Sequence, residues 1–267
     1  MLRTIKLLLY FFIYQLAVSG ACSVFFMLWN HSLEIPDPSS KVYVTFLLSV
    51  QVVFTILLSA HLVFWKYVKL DRHSLAYYNS FKVMSLSLLF IVGLGLWNNY
   101  LSELFDLPNT MEQFFVEMMR HPLGIFATVV MAPIMEELLF RGAIEGHLLR
   151  TWKNPAWAIL LSSVLFGAVH GNPAQIPFAI IIGLALGWVY YKTGSLVPCI
   201  FMHFVNNGCA VLAFWISGSS ETTLIGTYGY TGATFLAIFG VGITILSVVF
   251  IRKVLKDQTF LWRKEVD

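Results

Sequence analysis

Charge is what this chain has least of. Only 12% of its 267 residues are Asp, Glu, Lys or Arg, while 58% are hydrophobic. An ordinary soluble domain carries about 25% charged residues, so a soluble globular class is excluded. Cysteine is scarce as well. Cys22, Cys199 and Cys209 all lie in apolar runs, which excludes a disulfide framework and a Cys–Cys metal spacing and makes them small buried hydrophobes. There is no internal repeat, no low-complexity tract and no soluble module. No surface is arranged for nucleic acid, because the basic residues are spread over several connections. What is present is a series of apolar runs of near-spanning length, the pattern of an all-α, polytopic helical membrane protein. The chain reads as a single membrane domain, 1–267.

Eight transmembrane helices are predicted, at Leu7–Trp29, Val42–Phe64, Val83–Leu101, Pro122–Leu148, Pro155–His170, Ile176–Tyr191, Leu196–Ile216 and Gly229–Ile251. The first begins like a signal peptide, with Arg3 and Lys6 before an apolar run and "AVSGA" as a cleavage-like stretch. The run continues through "CSVFFMLW" to Trp29, too long for a signal core, and is read as an uncleaved span. Basic residues in the connections test the count. With the N-terminus inside, the inner side collects Arg3, Lys6, Lys66, Lys69, Arg72, Lys82, Arg150, Lys153, Lys192, Arg252, Lys253, Lys256, Arg263 and Lys264, fourteen of seventeen. Lys41 and Arg120 fall outside, and Arg141 lies within a span. Dropping one span would scramble this alternation, and the bias sets both termini in the cytoplasm. Between the third and fourth spans, "TMEQFFVEMMR" puts Met111, Phe114, Phe115 and Met118 on one helical face behind a Thr110 cap. It reads as an outer interfacial helix, or alternatively as a loop packed on the bundle.

Ionisable residues inside spans face a cavity or a partner and often mark function. The fourth span holds "PIMEELLFRGAIEGH", residues 133–147, with Glu136, Glu137, Arg141 and Glu145. Glu137, Arg141 and Glu145, at i, i+4 and i+8, share a helical face, so Arg141 can pair with either acid. Glu136 points about 100° away. One acid is neutralised by the arginine and its neighbour is free, an arrangement that suits a structural acid beside a reactive one. A purely structural ion-pair network is the bland alternative. His170 ends "LFGAVH" on the fifth span, and His203 and Asn207 lie one turn apart on the seventh. At ~1.5 Å per residue from the inner boundary, His203 is about 11 Å deep, Asn207 about 17 Å, Glu136 about 18 Å and His170 about 22 Å. All four fall in the middle of a core roughly 30 Å thick. His61 and His147, near span ends, read as hydrogen-bonded core residues. "GNPAQ" follows His170 directly. Such a polar turn is either a tight outer-surface turn or one buried in protein and lining a wet cavity.

Glu136-Glu137-x-x-x-Arg141, Phe166-x-x-x-His170 and His203-x-x-x-Asn207, in that order and each on a predicted span, resemble the CAAX protease and bacteriocin-processing (CPBP, or Abi) family of intramembrane proteases. Type II CAAX prenyl endopeptidases are its best-known members. The motif-bearing core is about 122–216, and eight spans is similar to the family architecture. The resemblance implies peptide-bond hydrolysis within the membrane. On it, Glu136 with His170 activates a water, His203 with Asn207 holds the oxyanion, and Glu137 with Arg141 orients the site. A desolvated carboxylate is a stronger base, and amide and imidazole N–H groups are suitable oxyanion donors. Phe166 reads as packing. The implied partners are the bilayer and a membrane-associated or lipidated protein or peptide, and the absence of an organelle-targeting tail fits a bacterial plasma membrane.

Other enzyme classes fit less well. A site-2-type zinc protease needs HExxH, which is absent. A rhomboid-like serine mechanism would have to use Ser195 with His203, eight residues apart across an inner turn. An aspartyl intramembrane protease needs aspartates in spans, and no predicted span contains one. Zinc is the cofactor alternative. Glu136, His170 and His203 form a two-histidine, one-carboxylate set with room for a water. That reading leaves Asn207 idle, whereas the metal-free reading employs all four residues and is favoured. A non-enzymatic carrier, or a maturation or immunity scaffold using the same charges structurally, is the alternative outside enzymes.

Overall fold

The computed structural model describes residues 1–31, 40–71, 75, 80–217, 223–256 and 262. Among them the secondary structure is helical, with no strand. The long elements are α1 (Leu2–Asn30), α2 (Lys41–Phe64), α3 (Phe81–Phe105), α5 (Pro122–Thr151), α7 (Ile176–Thr193), α8 (Leu196–Ser217) and α9 (Leu224–Val254). Each of these seven is long and apolar enough to cross a bilayer. Two shorter helices complete the set, α4 (Glu112–Arg120) and α6 (Pro155–Ala168). The all-α polytopic architecture expected from composition is therefore present.

The fifth predicted span differs from expectation. α6 has 14 residues, about 21 Å at ~1.5 Å per residue, short of a core roughly 30 Å thick. It opens at Asn154, whose side chain accepts from Ala156 N, and ends at Ala168, ahead of Gly171 at φ 64°. His170 thus sits just beyond the helix rather than on it. The turn that follows is anchored by one buried residue, Asn172, with Gly171 and Pro173 exposed. Asn172 is fully buried; its Oδ1 accepts from Thr110 N at 3.2 Å and Thr110 Oγ1 at 3.4 Å, and its Nδ2 donates to Asn109 Oδ1 at 2.9 Å. Ala174 N donates to Pro108 O at 3.2 Å. A polar turn satisfied by protein is what the membrane interior requires.

Those bonds also correct the expected helix cap. Thr110 is held by Asn172, and α4 starts behind Met111 with no side-chain cap. The α4 helix itself forms as expected. Its Met118 is buried against Val44 and Leu48 of α2, with Phe114 and Phe115 alongside, so its apolar face lies on the bundle.

Close packing rests on small residues, as membrane bundles demand where no hydrophobic force separates helix from lipid. α9 packs along α3. A Cβ at Gly93 would meet Gly240 O at 2.8 Å, and one at Gly240 would meet Gly93 O at 2.6 Å. Glu103 of α3 accepts from Leu224 N at 2.6 Å and Ile225 N at 2.8 Å, which satisfies orphan donors at the start of α9. α7 packs on α6, with Gly183 against Ser163.

α5 is where the fold departs from regular geometry. Its turns at Ala127–Met131 and Leu138–Glu145 are π-helical. A π turn bonds i to i+5, is rare, and frequently accompanies functional sites. Each widened turn offers a backbone carbonyl to a neighbouring helix. Asn207 Nδ2 of α8 donates to Thr128 O at 3.0 Å, and Ser162 Oγ of α6 donates to Phe140 O at 3.0 Å.

Candidate active site

The site is built from α5, α6 and α8. Glu137 Oε1 lies 2.9 Å from Arg141 Nη1, and both side chains are completely buried. Arg141 is held further by Gly183 O, which accepts from Nη2 at 3.1 Å, and by the face of Phe166, 4.5 Å from its guanidinium carbon. The i, i+4 pairing expected within the fourth span is present. Its other option is not taken. Neither Glu145 oxygen has a hydrogen-bond partner, although that carboxyl is completely buried.

The same Glu137 oxygen carries a second bond, to His203 Nδ1 at 2.8 Å. The other ring nitrogen, Nε2, lies 3.8 Å from Glu136 Oε2. His203 therefore stands between the two adjacent acids, one nitrogen turned to each. Glu137 differs from its neighbour as expected. It is closed off and shared between two basic groups, whereas the Glu136 side chain keeps 18% exposure.

His170 comes to the site by another route. Its Nδ1 is bonded to Phe166 O at 2.8 Å, leaving Nε2 for the outside. The Phe166 ring meets His170 edge-on at 5.1 Å and His203 edge-on at 5.6 Å between centroids. Phe166 is packing, as predicted, and it separates and orients both imidazoles. The sequence reading paired Glu136 with His170. The side chain that approaches Glu136 here is His203, and no hydrogen bond or ion pair joins Glu136 to His170 among the described residues.

Asn207 donates one amide hydrogen to Thr128 O, and its Oδ1 accepts from Asn206 Nδ2 at 3.1 Å. The amide is thus locked in orientation with its second hydrogen unassigned. A cavity of about 410 Å³ opens beside these groups, and His170, His203, Asn207 and Phe166 line it. Its other walls are α3 and the start of α7, with Asn98, Asn99, Ser102 and Gln175 as polar contributors. Sequence reasoning missed the α3 wall; the polar cluster "WNNYLS" inside an otherwise apolar run was the available signal. A larger, mostly apolar groove of about 780 Å³ runs beside Thr151–Asn154 and α6 and shares no lining residue with this cavity. His170, His203 and Asn207 line the polar one, whereas Glu136 lines neither.

Among the described residues, no three His, Cys, Asp or Glu side chains are grouped to hold a metal. His170 and His203 each have one nitrogen committed to a protein acceptor, and Glu136 meets only one of them. Ser195, the residue a serine mechanism would have used, is completely buried and accepts from Val197 N at 3.3 Å.

An all-helical membrane protein with acids, histidines and an amide gathered inside the bundle is the class this fold and site define. Residues 119–209 match the family described as type II CAAX prenyl endopeptidase Rce1-like, and the three motifs all lie within that segment. The chain is 33% identical over 91 residues to "Putative membrane peptidase YdiL" of Bacillus subtilis (strain 168), covering 34% of this chain and 37% of that protein. It is 30% identical over 110 residues to "Membrane-embedded CAAX protease MroQ" of Staphylococcus aureus (strain USA300), covering 39% and 44% respectively. The matched region thus spans less than half the length of either relative. No solved structure matches.

Proposed function

We propose that the protein is an intramembrane endopeptidase that hydrolyses a peptide bond of a membrane-associated or lipidated polypeptide with a water activated by Glu136. The observation that carries this reading is the placement of His203. It bridges the two acids, 2.8 Å from Glu137 and 3.8 Å from Glu136, and lines a polar cavity with His170 and Asn207.

Glu136 is the base. It takes a proton from water as the oxygen attacks the peptide carbonyl carbon, and returns that proton to the leaving amine as the C–N bond breaks. His170 lines the cavity with its Nδ1 committed to Phe166 O, and its Nε2 steadies the water. The tetrahedral oxyanion is held by the second Asn207 N–H and by His203. With Nδ1 bound to Glu137, Nε2 is the nitrogen His203 has left for the oxyanion. Glu137 and Arg141 orient His203. Donors fixed before reaction are the most effective form of transition-state stabilisation. The metal-free reading is kept because it employs Glu136, His170, His203 and Asn207 together.

The distribution of basic residues supports cytoplasmic termini, and the bacterial origin of the relatives supports a bacterial plasma membrane. Comparative peptidomics of cells carrying the wild type or Glu136→Gln tests the function. Membrane-derived peptides made by the wild type and absent with the variant are expected. Identical peptidomes at equal protein levels would return the charges to a carrier or scaffold role.

A further inference from the structure

We infer that the substrate reaches this site from the side of the membrane opposite the basic connections, so that the substrate class is a polypeptide segment presented at the extracytoplasmic face rather than a cytoplasmic C-terminus. The word substrate rests on the protease reading above; the direction of opening does not.

The cavity occupies one half of the bundle. Its lining on α3 runs from Ile91 to Ser102, toward the Phe105 end; on α7 from Gln175 to Ile182, at the start; and on α8 from His203 to Ala213, toward the Ser217 end. These three ends lie together on one side. Basic residues mark the other ends of two of these helices, where Lys82 opens α3 and Lys192 closes α7, and Arg252 and Lys253 close α9, which packs along α3. Positive residues mark the cytoplasmic face, so the mouth is on the outer face.

The inner route is closed. Between the site and the basic ends lie Leu139, Ile144, Leu186, Leu196, Cys199 and Met202, all completely buried, around the buried Arg141. No water path crosses such packing. The outer route is polar. Asn99, Ser102 and Gln175 line it, and Asn98, only 7% exposed, has an Oδ1 with no hydrogen-bond partner while its Nδ2 donates to Phe178 O at 3.4 Å. An unmet acceptor on the wall of a cavity suits the amide N–H of an extended peptide, whose backbone arrives with donors unpaired.

Cys209 provides the test, because, contrary to the buried position expected from the sequence, it is exposed and lines the cavity. A charged, membrane-impermeant maleimide is applied to right-side-out and inside-out membrane vesicles containing the full chain, with Cys209→Ser as the control and detergent-denatured protein as the measure of total thiol. A second probe, Ser102→Cys in the Cys209→Ser background, reports on the mouth. Modification of both positions in right-side-out vesicles, lost in the control, is expected. Modification only in inside-out vesicles would overturn the inference, as would no modification in either. The readout needs no proteolysis, so failure of the protease reading leaves the labelling result intact, and the reverse also holds.

Discussion

His203 and Glu137, on helices far apart in the chain, share a 2.8 Å hydrogen bond from the ring Nδ1 to the Oε1 that also holds Arg141. One carboxylate oxygen therefore fixes two basic side chains. The same bond dictates which nitrogen His203 has left for chemistry.

That arrangement separates the two acids experimentally. Glu137→Gln leaves Arg141 and His203 without their counter-charge in a buried setting. Breaking a buried pair by removing one partner costs about 3–5 kcal/mol, so the variant is expected to express poorly and melt early in detergent. Glu136→Gln is expected to melt like the wild type and to be inactive. Thermal unfolding of both, beside the peptidome comparison, checks this; equal destabilisation would make both acids structural.

Asn207→Ala distinguishes the metal-free mechanism from zinc. Removing an oxyanion donor lowers kcat by about 10²–10³, whereas a residue beside a zinc ligand set would matter far less. The expected result, measured on a peptide identified by peptidomics, is that loss together with activity that survives chelation. Stoichiometric zinc, chelator sensitivity and a tolerated Asn207→Ala would together reverse the assignment.

Glu145 is a buried carboxyl with no hydrogen-bond partner on either oxygen. A buried unsatisfied polar group costs about 1–3 kcal/mol, and an apolar replacement of similar volume removes that cost. Glu145→Met is expected to raise the melting temperature. A fall would show that the Glu145 charge is needed near Arg141.

Gly240→Ala is expected to weaken the α3–α9 crossing, since the new methyl would lie 2.6 Å from Gly93 O, a backbone atom that cannot turn aside. Overpacking of this kind typically costs about 1–3 kcal/mol. Gly242, one turn face away with nothing within 4 Å of an added Cβ, is the control. Gly242→Ala is expected to be neutral or stabilising, as Ala is the better helix former. Parallel melts of the two variants decide it.

Much of this protein was legible without coordinates because hydrophobic length and charge position are properties of the chain itself. Seven of the eight expected spans are full-length helices, and the Glu137–Arg141 pair follows from a spacing of four within one helix. The short α6 could have been suspected from Gly167, Gly171 and Asn172 crowding its end, but its length was settled by the bonds of Asn172 to Asn109 and Thr110, more than sixty residues away.

Three features belong to the tertiary structure alone. The π turns of α5 depend on Asn207 and Ser162 arriving from other helices to take up the Thr128 and Phe140 carbonyls. The histidine that stands 3.8 Å from Glu136 is His203, a proximity not given by spacing, because spacing along one helix defines a face, while the rotation and tilt that bring two faces together come from packing on residues such as Phe166 and Gly183. The side on which the cavity opens follows from where apolar side chains fill the bundle completely and where they do not. Local periodicity determined which residues lie in the membrane and which are charged there; only the packing of helix against helix decided which of those charges meet.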